Sequence, residues 1–267
     1  MNKMLTAVLR HIYECMILLY SCLVLFSGCG LTEYYNLAAP TVTYNVPSYS
    51  TTDYTSKYFE FRTNDNGNDF GSDADFDFLG TAVYYKIFNN YSTMLSYNSA
   101  ISAVNTASNS TAAATKMIET YTYQQLGTSS GTETPLIPEN GGTDRKVYIR
   151  LMNYDKTSSK VSGSVTDYKA KIMWKNATDT DYTEVYVPLR EGNRYTFDFN
   201  RTTDNTNNAV PASGDTDTVY GTASASNTWY VDMYAVSVGR DSSYTTSYSL
   251  VLHLGAVAIS SDSSVNN

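Results

Sequence analysis

Residues 79–88 have the sequence Leu79-Gly80-Thr81-Ala82-Val83-Tyr84-Tyr85-Lys86-Ile87-Phe88, and this run decides the fold class. It is rich in valine, isoleucine, threonine and tyrosine, which favour β-strands, and a polar loop at residues 64–77 precedes it. Similar runs recur along the chain, at residues 41–46, 58–62, 147–152, 168–174, 184–189, 194–199, 229–238 and 250–259. The sequence therefore predicts a mainly β protein.

One segment, near residues 92–126, breaks the strand pattern. Apolar residues recur there at helical spacing, and Ser92 is placed to cap the first helix. A second, alanine-rich helix is predicted over residues 112–121, with Gly127 able to end it and with one apolar face made of Ala114, Met117, Ile118 and Tyr121. Strands come in runs on both sides of this helical insertion and do not alternate with helices. The pattern therefore favours antiparallel sheets stacked as a β-sandwich.

Charge and cysteine content exclude several classes of function. The 267 residues include 18 Lys and Arg against 26 Asp and Glu, a net charge of −8. An acidic, lightly charged surface binds phosphate backbones poorly, so nucleic acid is not an expected partner. The three cysteines, Cys15, Cys22 and Cys29, all lie near the start of the chain. The body of the protein then has no cysteine for a disulfide, a thiolate metal cluster or catalysis, and we expect no cofactor.

The beginning of the chain has the order of a secretory signal. Lys3 and Arg10 supply positive charge, an apolar run follows at residues 16–26, and small residues come before Cys29. This run is shorter than the ~20 residues that a transmembrane helix needs. We therefore expect residues 1–28 to be a signal peptide.

The stretch Leu25-Phe26-Ser27-Gly28-Cys29 resembles a bacterial lipobox, with Phe26 in the aliphatic position, as in the relaxed lipobox of spirochaete lipoproteins. The resemblance implies cleavage after Gly28, a diacylglyceryl thioether on Cys29 and a membrane partner held through this lipid anchor. It places the protein in the cell envelope, and Gly30 favours the outer membrane by analogy. An ordinary signal peptide, a membrane helix, or lipidation at Cys22 are the alternatives.

The predicted organisation after the signal peptide has three parts. Residues 29–39 form a lipidated tether that ends at Pro40, and residues 40–260 form a single domain. Within that domain, residues 200–227 are almost all small or polar and predict a long mobile loop. Residues 261–267 are expected to be a flexible tail.

The segment Tyr234-Ala235-Val236-Ser237-Val238 resembles the penultimate strand of immunoglobulin-like and fibronectin type III sandwiches. Residues 83–87 are similar to the third strand of fibronectin type III modules. The resemblance implies that residues 250–254, in the last strand, pair with residues 234–238. The tryptophan of the family's second strand is absent, and Phe59 or Phe61 lies in its region.

His253 is the one histidine outside the signal peptide. Alternation places it and Val251 on one face of a strand, with Leu250, Leu252 and Leu254 on the other. We expect His253 to be a strand residue on the more solvent-exposed face of the sheet. The alternative is that it is a catalytic base.

Two acidic clusters raise the question of a metal ion. The loop at residues 64–77 has the oxygen ligands that Ca²⁺ uses, but its spacing differs from an EF-hand and its composition is also that of a solvated turn. Asp179, Asp181 and Glu184 form a second, weaker cluster. We predict no metal site, and Ca²⁺ binding at residues 64–77 stays open.

The chain contains 25 tyrosines. Tyrosine favours β-strands in a sheet with one solvent-exposed face, and it is also a rigid contact residue in binding surfaces. Tyr34, Tyr35, Tyr49 and Tyr54 fall in predicted loops, so we expect ligand contacts there.

These features favour a non-enzymatic lipoprotein that binds a protein or glycan, or serves as an envelope component. The alternatives are a carbohydrate-active enzyme that uses Asp and Glu alone, and a solute-binding component of a transporter. Paired carboxylates in a groove would favour the enzyme, whereas the missing βαβ alternation speaks against the two lobes of a solute-binding protein.

Overall fold

The computed structural model describes residues 13, 15–17, 35–47, 56–71, 75–128, 135–152, 170–199, 210–222 and 227–261. Contacts divide the chain into two compact units, Met1–Tyr35 and Asn36–Asn267. In the first unit, Tyr13, Cys15, Met16 and Ile17 are helical and exposed. No helix in the described part of the chain is both long enough and apolar enough to span a membrane.

The second unit contains the β-strands and two helices. In chain order its elements are β1 (Thr41–Asn45), β2 (Phe59–Arg62), a 3-10 turn (Asn66–Asn68), β3 (Phe76–Phe88), α1 (Tyr91–Ser102), α2 (Ala112–Thr115), a π-helical turn (Lys116–Thr120), β4 (Gln124–Gln125), β5 (Gly127–Thr128), β6 (Ile137–Pro138), β7 (Arg145–Arg150), β8 (Lys171–Asn176), β9 (Thr183–Tyr186), β10 (Pro188–Leu189), β11 (Thr218–Val219), β12 (Thr228–Asp241) and β13 (Thr246–Ser260). The protein is mainly β, as predicted.

The strands form two main sheets. The first is antiparallel, with the order β1-β2-β7-β8-β9. The second is built on the three longest strands, with β12 antiparallel to both β3 and β13. The short strands β6, β4 and β11 pair in turn with the other edge of β3. A small separate pair joins β5 and β10.

The main apolar core lies between the two sheets. It contains Phe59 and Phe61 of β2, Ile149 of β7, Val83 of β3 and Met233 of β12, among others. Side chains alternate across a strand, so the inward residues of both sheets meet in one layer. The arrangement is consistent with a β-sandwich.

A second apolar cluster explains why the long strands are apolar on both faces. Tyr84, Val236 and Val251 point away from the first sheet and pack with Met94, Ile101 and Met117 of the helical segment. The helical insertion predicted near residues 92–126 therefore covers the outer face of the second sheet. A sheet covered on both faces has near-continuous apolar strands, as residues 79–88 do.

The helix ends differ from the predictions. The cap of α1 is Asn90, not Ser92: the Asn90 side chain accepts a hydrogen bond from the Thr93 backbone N–H at 3.0 Å. The second helical segment ends at Thr120, and Gly127 lies in β5. Thr122, with φ 52°, adopts the left-handed conformation that the prediction assigned to a glycine.

Two other expectations for the second half of the chain are wrong. Residues 194–199 are not a strand; Tyr195 alone forms an isolated bridge, with Arg190. The predicted loop at 200–227 contains β11, which is parallel to the end of β3. The backbone N–H of Ile87 donates to the Asp217 carbonyl at 2.9 Å, so a contact distant in sequence orders this part of the polar segment.

The predicted pairing of the last two strands is confirmed. Tyr234 lies opposite His253, and Val236 lies opposite Val251. The first sheet, however, differs from the order of the immunoglobulin type, in which the fifth strand lies beside the second and the fourth lies outside it. Here β7, β8 and β9 follow β2 in chain order.

A side chain covers part of the outer edge of β13. The Asn105 amide donates to the Val251 carbonyl at 2.9 Å and accepts from the Val251 N–H at 3.0 Å, as a neighbouring strand would. An unpaired edge strand can pair with another chain. Asn105, in the segment between the two helices, blocks this contact and fixes α1 beside β13.

Candidate functional site

Most of the tyrosines predicted to contact a ligand lie outside the described residues, as does Cys29. This applies to Tyr34, Tyr49 and Tyr54. Tyr35 is described and partly buried. These four tyrosines and the lipidation of Cys29 stay predictions.

Three of the described carboxylates of the acidic loop, those of Asp65, Asp69 and Asp77, take part in local structure. Asp65 is buried and accepts from the Asn140 backbone N–H at 2.9 Å. Asp69 accepts from the Gly71 N–H at 3.2 Å, and Asp77 lies in β3, paired with Arg240. In the part of the chain that the structure describes, no three His, Cys, Asp or Glu side chains are grouped to hold a metal ion.

His253 is joined to a residue that the sequence did not single out. Its Nε2 atom lies 2.7 Å from Oδ1 of Asp232 on the neighbouring strand. The Asp232 side chain is 0% exposed, whereas that of His253 is 41% exposed. The alternation predicted for β13 is confirmed for residues 251–254, since Leu252 and Leu254 pack in the core between the sheets and Val251 packs with the helices. Leu250 belongs to neither cluster and lies next to an irregularity in the pairing of β12 with β13. His253 thus reaches the helical side, where it meets a buried acid.

Three further groups complete the surroundings of Asp232. The Asn98 side chain of α1 donates to Oδ1 at 3.1 Å, and the Tyr123 hydroxyl donates to Oδ2 at 2.7 Å. The Tyr234 hydroxyl donates to Oδ1 of Asn98 at 3.1 Å, and its ring lies against that of His253, with centroids 4.6 Å apart. Each oxygen of the Asp232 carboxylate therefore accepts a hydrogen bond, and Tyr234 in turn holds the Asn98 side chain in place.

Both tyrosines are held in their neutral form. Burial raises the pKa of Tyr123 well above its ordinary value, and the charge of Asp232 adds to the rise. Burial and the same charge raise the pKa of Tyr234. A neutral phenol donates a hydrogen bond without losing its proton, so Tyr123 orients the Asp232 carboxylate, Tyr234 orients the Asn98 amide, and neither is an acid near neutral pH.

A cleft opens beside His253, between α1 and β13. Its volume is about 520 Å³, and its lining includes Asn98, Ser99, Ser102, Asn105, Val251 and His253. Among the described residues, Nδ1 of His253 has no hydrogen-bond partner. When Nε2 carries the proton toward Asp232, Nδ1 is left as an acceptor on a ring that lines the cleft. The arrangement can bind a donor group or accept a proton.

The sequence contained one signal for this site. Asp232 interrupts the apolar run Trp229-Tyr230-Val231-Asp232-Met233-Tyr234, and a charged residue in such a strand needs a partner. Asn98 and Tyr123 carried no comparable signal, because they resemble ordinary residues of a polar helix and a loop.

A second buried charge cluster has a structural character. The Arg190 guanidinium, 0% exposed, donates to both carboxylate oxygens of Asp217 at 2.8 and 3.0 Å and to Asp215 at 2.9 Å. Burial lowers the pKa of Arg190, but the two carboxylates outweigh this effect, and the pKa is raised overall. The Tyr85 hydroxyl donates to Asp217 at 2.8 Å. This cluster pairs one arginine with two carboxylates and ties β3 to the segment before β11.

Comparisons with known proteins do not add a family to this site. No protein-family model, no curated protein and no solved structure matches the chain.

Proposed function

We propose that the protein is a lipid-anchored, extracytoplasmic binding protein of the bacterial envelope, with its ligand site in the cleft between α1 and β13. The observation that carries the binding role is the half-exposed His253, held at the cleft by the fully buried Asp232. The anchor itself is supported by the lipobox-like residues 25–29.

The free energy needed to bury Asp232 supports a role for the cleft. Removing a carboxylate from water costs several kcal/mol unless charge and hydrogen bonds compensate it. Arg190 and Asp217 form an ion pair inside the protein, whereas the sole ionisable base within hydrogen-bond distance of Asp232 among the described residues is His253. Lys86 lies opposite Asp232 on β3, but its ammonium group donates to Thr122 and Thr216. Natural sequences break local folding rules chiefly at functional sites. A buried acid that fixes a cleft-facing imidazole fits such a site.

We also propose that the fold is a variant of the immunoglobulin-like or fibronectin type III-like sandwich. The neighbouring positions of β3, β12 and β13 match the third, penultimate and last strands of an immunoglobulin-like or fibronectin type III-like sandwich. The order of β7, β8 and β9 would then be a variation on that plan.

Replacing Cys29 with serine tests the membrane anchor. Because a diacylglyceryl group needs the cysteine sulfur, we expect C29S to lose palmitate labelling and to move from the membrane fraction to the soluble extracytoplasmic fraction of a lipoprotein-processing bacterium. Two acyl chains hold a protein stably at a membrane, whereas one binds only marginally.

The matched control for the anchor is C22S, which removes the cysteine inside the apolar run at residues 16–26. It should keep both the label and the membrane location. Palmitate labelling that persists in C29S and disappears in C22S would refute the assignment of Cys29.

Replacing Ser99 with tryptophan tests the ligand site. Ser99 is exposed on α1 and lines the cleft, so the larger side chain fills the space that a ligand needs. We expect at least one class in a panel of small cationic, anionic, neutral and saccharide compounds to raise the melting temperature of the wild-type protein. The same compounds should leave S99W unchanged.

Ser92, exposed at the start of the same helix, provides the control S92W, which should respond as the wild type does. If no class of compound acts on the wild type, or if the response survives in S99W, the cleft is not the ligand site.

A further inference from the structure

The cleft beside His253 has an unusual balance of charge. The described residues that line it include no lysine, arginine, aspartate or glutamate. Asp232 lies beneath this lining, where its carboxylate contacts three residues, His253, Asn98 and Tyr123.

The hydrogen bonds to Asp232 do not cancel its charge. Asn98 and Tyr123 are neutral donors, and so is His253 when its ring carries one proton. A carboxylate charge in a low-dielectric wall is screened less than at a surface, so it acts on a ligand at the cleft. The chain also has a net charge of −8, which attracts cations toward the protein.

The hydrogen-bonding groups at the cleft also favour a cation, one that can donate hydrogen bonds. Nδ1 of His253 is an acceptor when Nε2 donates to Asp232, and the hydroxyl oxygens of Ser99 and Ser102 can also accept. The Asp232 carboxylate would repel an anion, and no lysine or arginine among the described lining residues would offset that repulsion. The apolar lining residue that is exposed is Ala103, whereas Ile101 and Val251 are 0% and 5% exposed.

From these observations we infer that the cleft binds a small primary ammonium ion with a short alkyl part. The ammonium group donates to Nδ1 of His253 and lies in the field of Asp232, and the alkyl part packs on the exposed side chain of Ala103. This inference names the ligand class of the proposed binding site and therefore rests on the proposed function.

An isosteric series separates the charge of the ligand from its shape. The probes are n-butylammonium, n-butanol and butyrate, added to the full chain in detergent at about pH 8, where imidazoles are ordinarily neutral. The chain has two histidines, so H11Q leaves the His253 imidazole as the single histidine signal in the NMR spectrum. We expect n-butylammonium to shift that signal with saturation at about 1–10 mM. Binding of n-butanol should be about tenfold weaker, and butyrate should cause no shift.

Two variants test whether Asp232 supplies the attraction. D232N removes the buried charge at nearly constant shape and should weaken n-butylammonium binding by about tenfold, to the level of n-butanol. D77N removes an exposed carboxylate far along the second sheet, paired with Arg240, and should leave binding unchanged. Should D232N fail to fold, the ranking of the three probes on the parent protein still decides the question.

The possible outcomes separate the ligand class from the binding role of the cleft. If butyrate or n-butanol binds as well as n-butylammonium, or if D232N binds the amine normally, the ammonium class is refuted while the binding role of the cleft stands. If none of the three probes shifts the signal, but another compound of the panel raises the melting temperature of the wild type and not of S99W, only the ligand class is refuted. If nothing binds, the proposed function fails with it.

Discussion

Replacing Arg190 with leucine will lower the free energy of unfolding by about 3–5 kcal/mol, because Asp217 is then left buried without its cation. The Asp217 side chain is 0% exposed and receives two hydrogen bonds from Arg190. Proteins of ordinary stability have about 5–15 kcal/mol in total, so much of the folded population is lost under mild denaturation. Equilibrium unfolding in urea, followed by tryptophan fluorescence, measures the change.

Arg240 provides the matched control for Arg190. It pairs with Asp77 at 3.4 Å, but the two side chains are 41% and 66% exposed. Exposed pairs contribute about 0–1 kcal/mol, so R240L should unfold nearly as the wild type does. The double variant R190L/D217N leaves no buried carboxylate at this position and should lose less stability than the sum of its single variants. Equal losses in R190L and R240L would show that the buried cluster does not stabilise the fold.

Replacing Gly80 with alanine will destabilise the protein by at least about 3 kcal/mol, since two separate effects act at this position. Gly80 has φ +132°, a conformation that side chains rarely adopt. A Cβ atom there would lie 2.2 Å from the Ile137 carbonyl oxygen and 2.8 Å from the Glu139 nitrogen. The change would therefore displace β6 from β3, where Gly80 lies opposite Pro138. Urea unfolding again gives the loss.

Two other glycines separate these effects. Gly71 has φ +76°, but an added Cβ would have no atom of a described residue within 4 Å beyond its chain neighbours, so G71A should cost about 1–2 kcal/mol from backbone strain alone. Gly214 has neither a positive φ nor a close neighbour, so G214A should be neutral or slightly stabilising. If G80A proved no worse than G71A, the close approach of β6 would not be maintained in solution.

The strands and the site differ in how far local sequence could predict them. Residues 41–46, 58–62, 229–238 and 250–259 lie in or next to observed strands, because β-branched and aromatic residues favour extended backbone wherever they occur. The face predicted for the second helical segment is also correct: Ala114, Met117, Ile118 and Tyr121 all belong to the cluster under the helices. By contrast, residues 194–199 have the composition of a strand but turn around Arg190, whose buried guanidinium lies 5.6 Å from the Phe199 ring.

By itself, the sequence determined the mainly β class, the helical insertion and the face of β13 that carries His253. Each depends on propensity or on the alternation of neighbouring side chains, which are local properties. The tertiary structure alone decided which residues surround Asp232. His253 is 21 residues from it, Tyr123 is 109 and Asn98 is 134. Sheet pairing and helix packing bring these groups within hydrogen-bond distance, and neither is encoded in any short stretch of the chain.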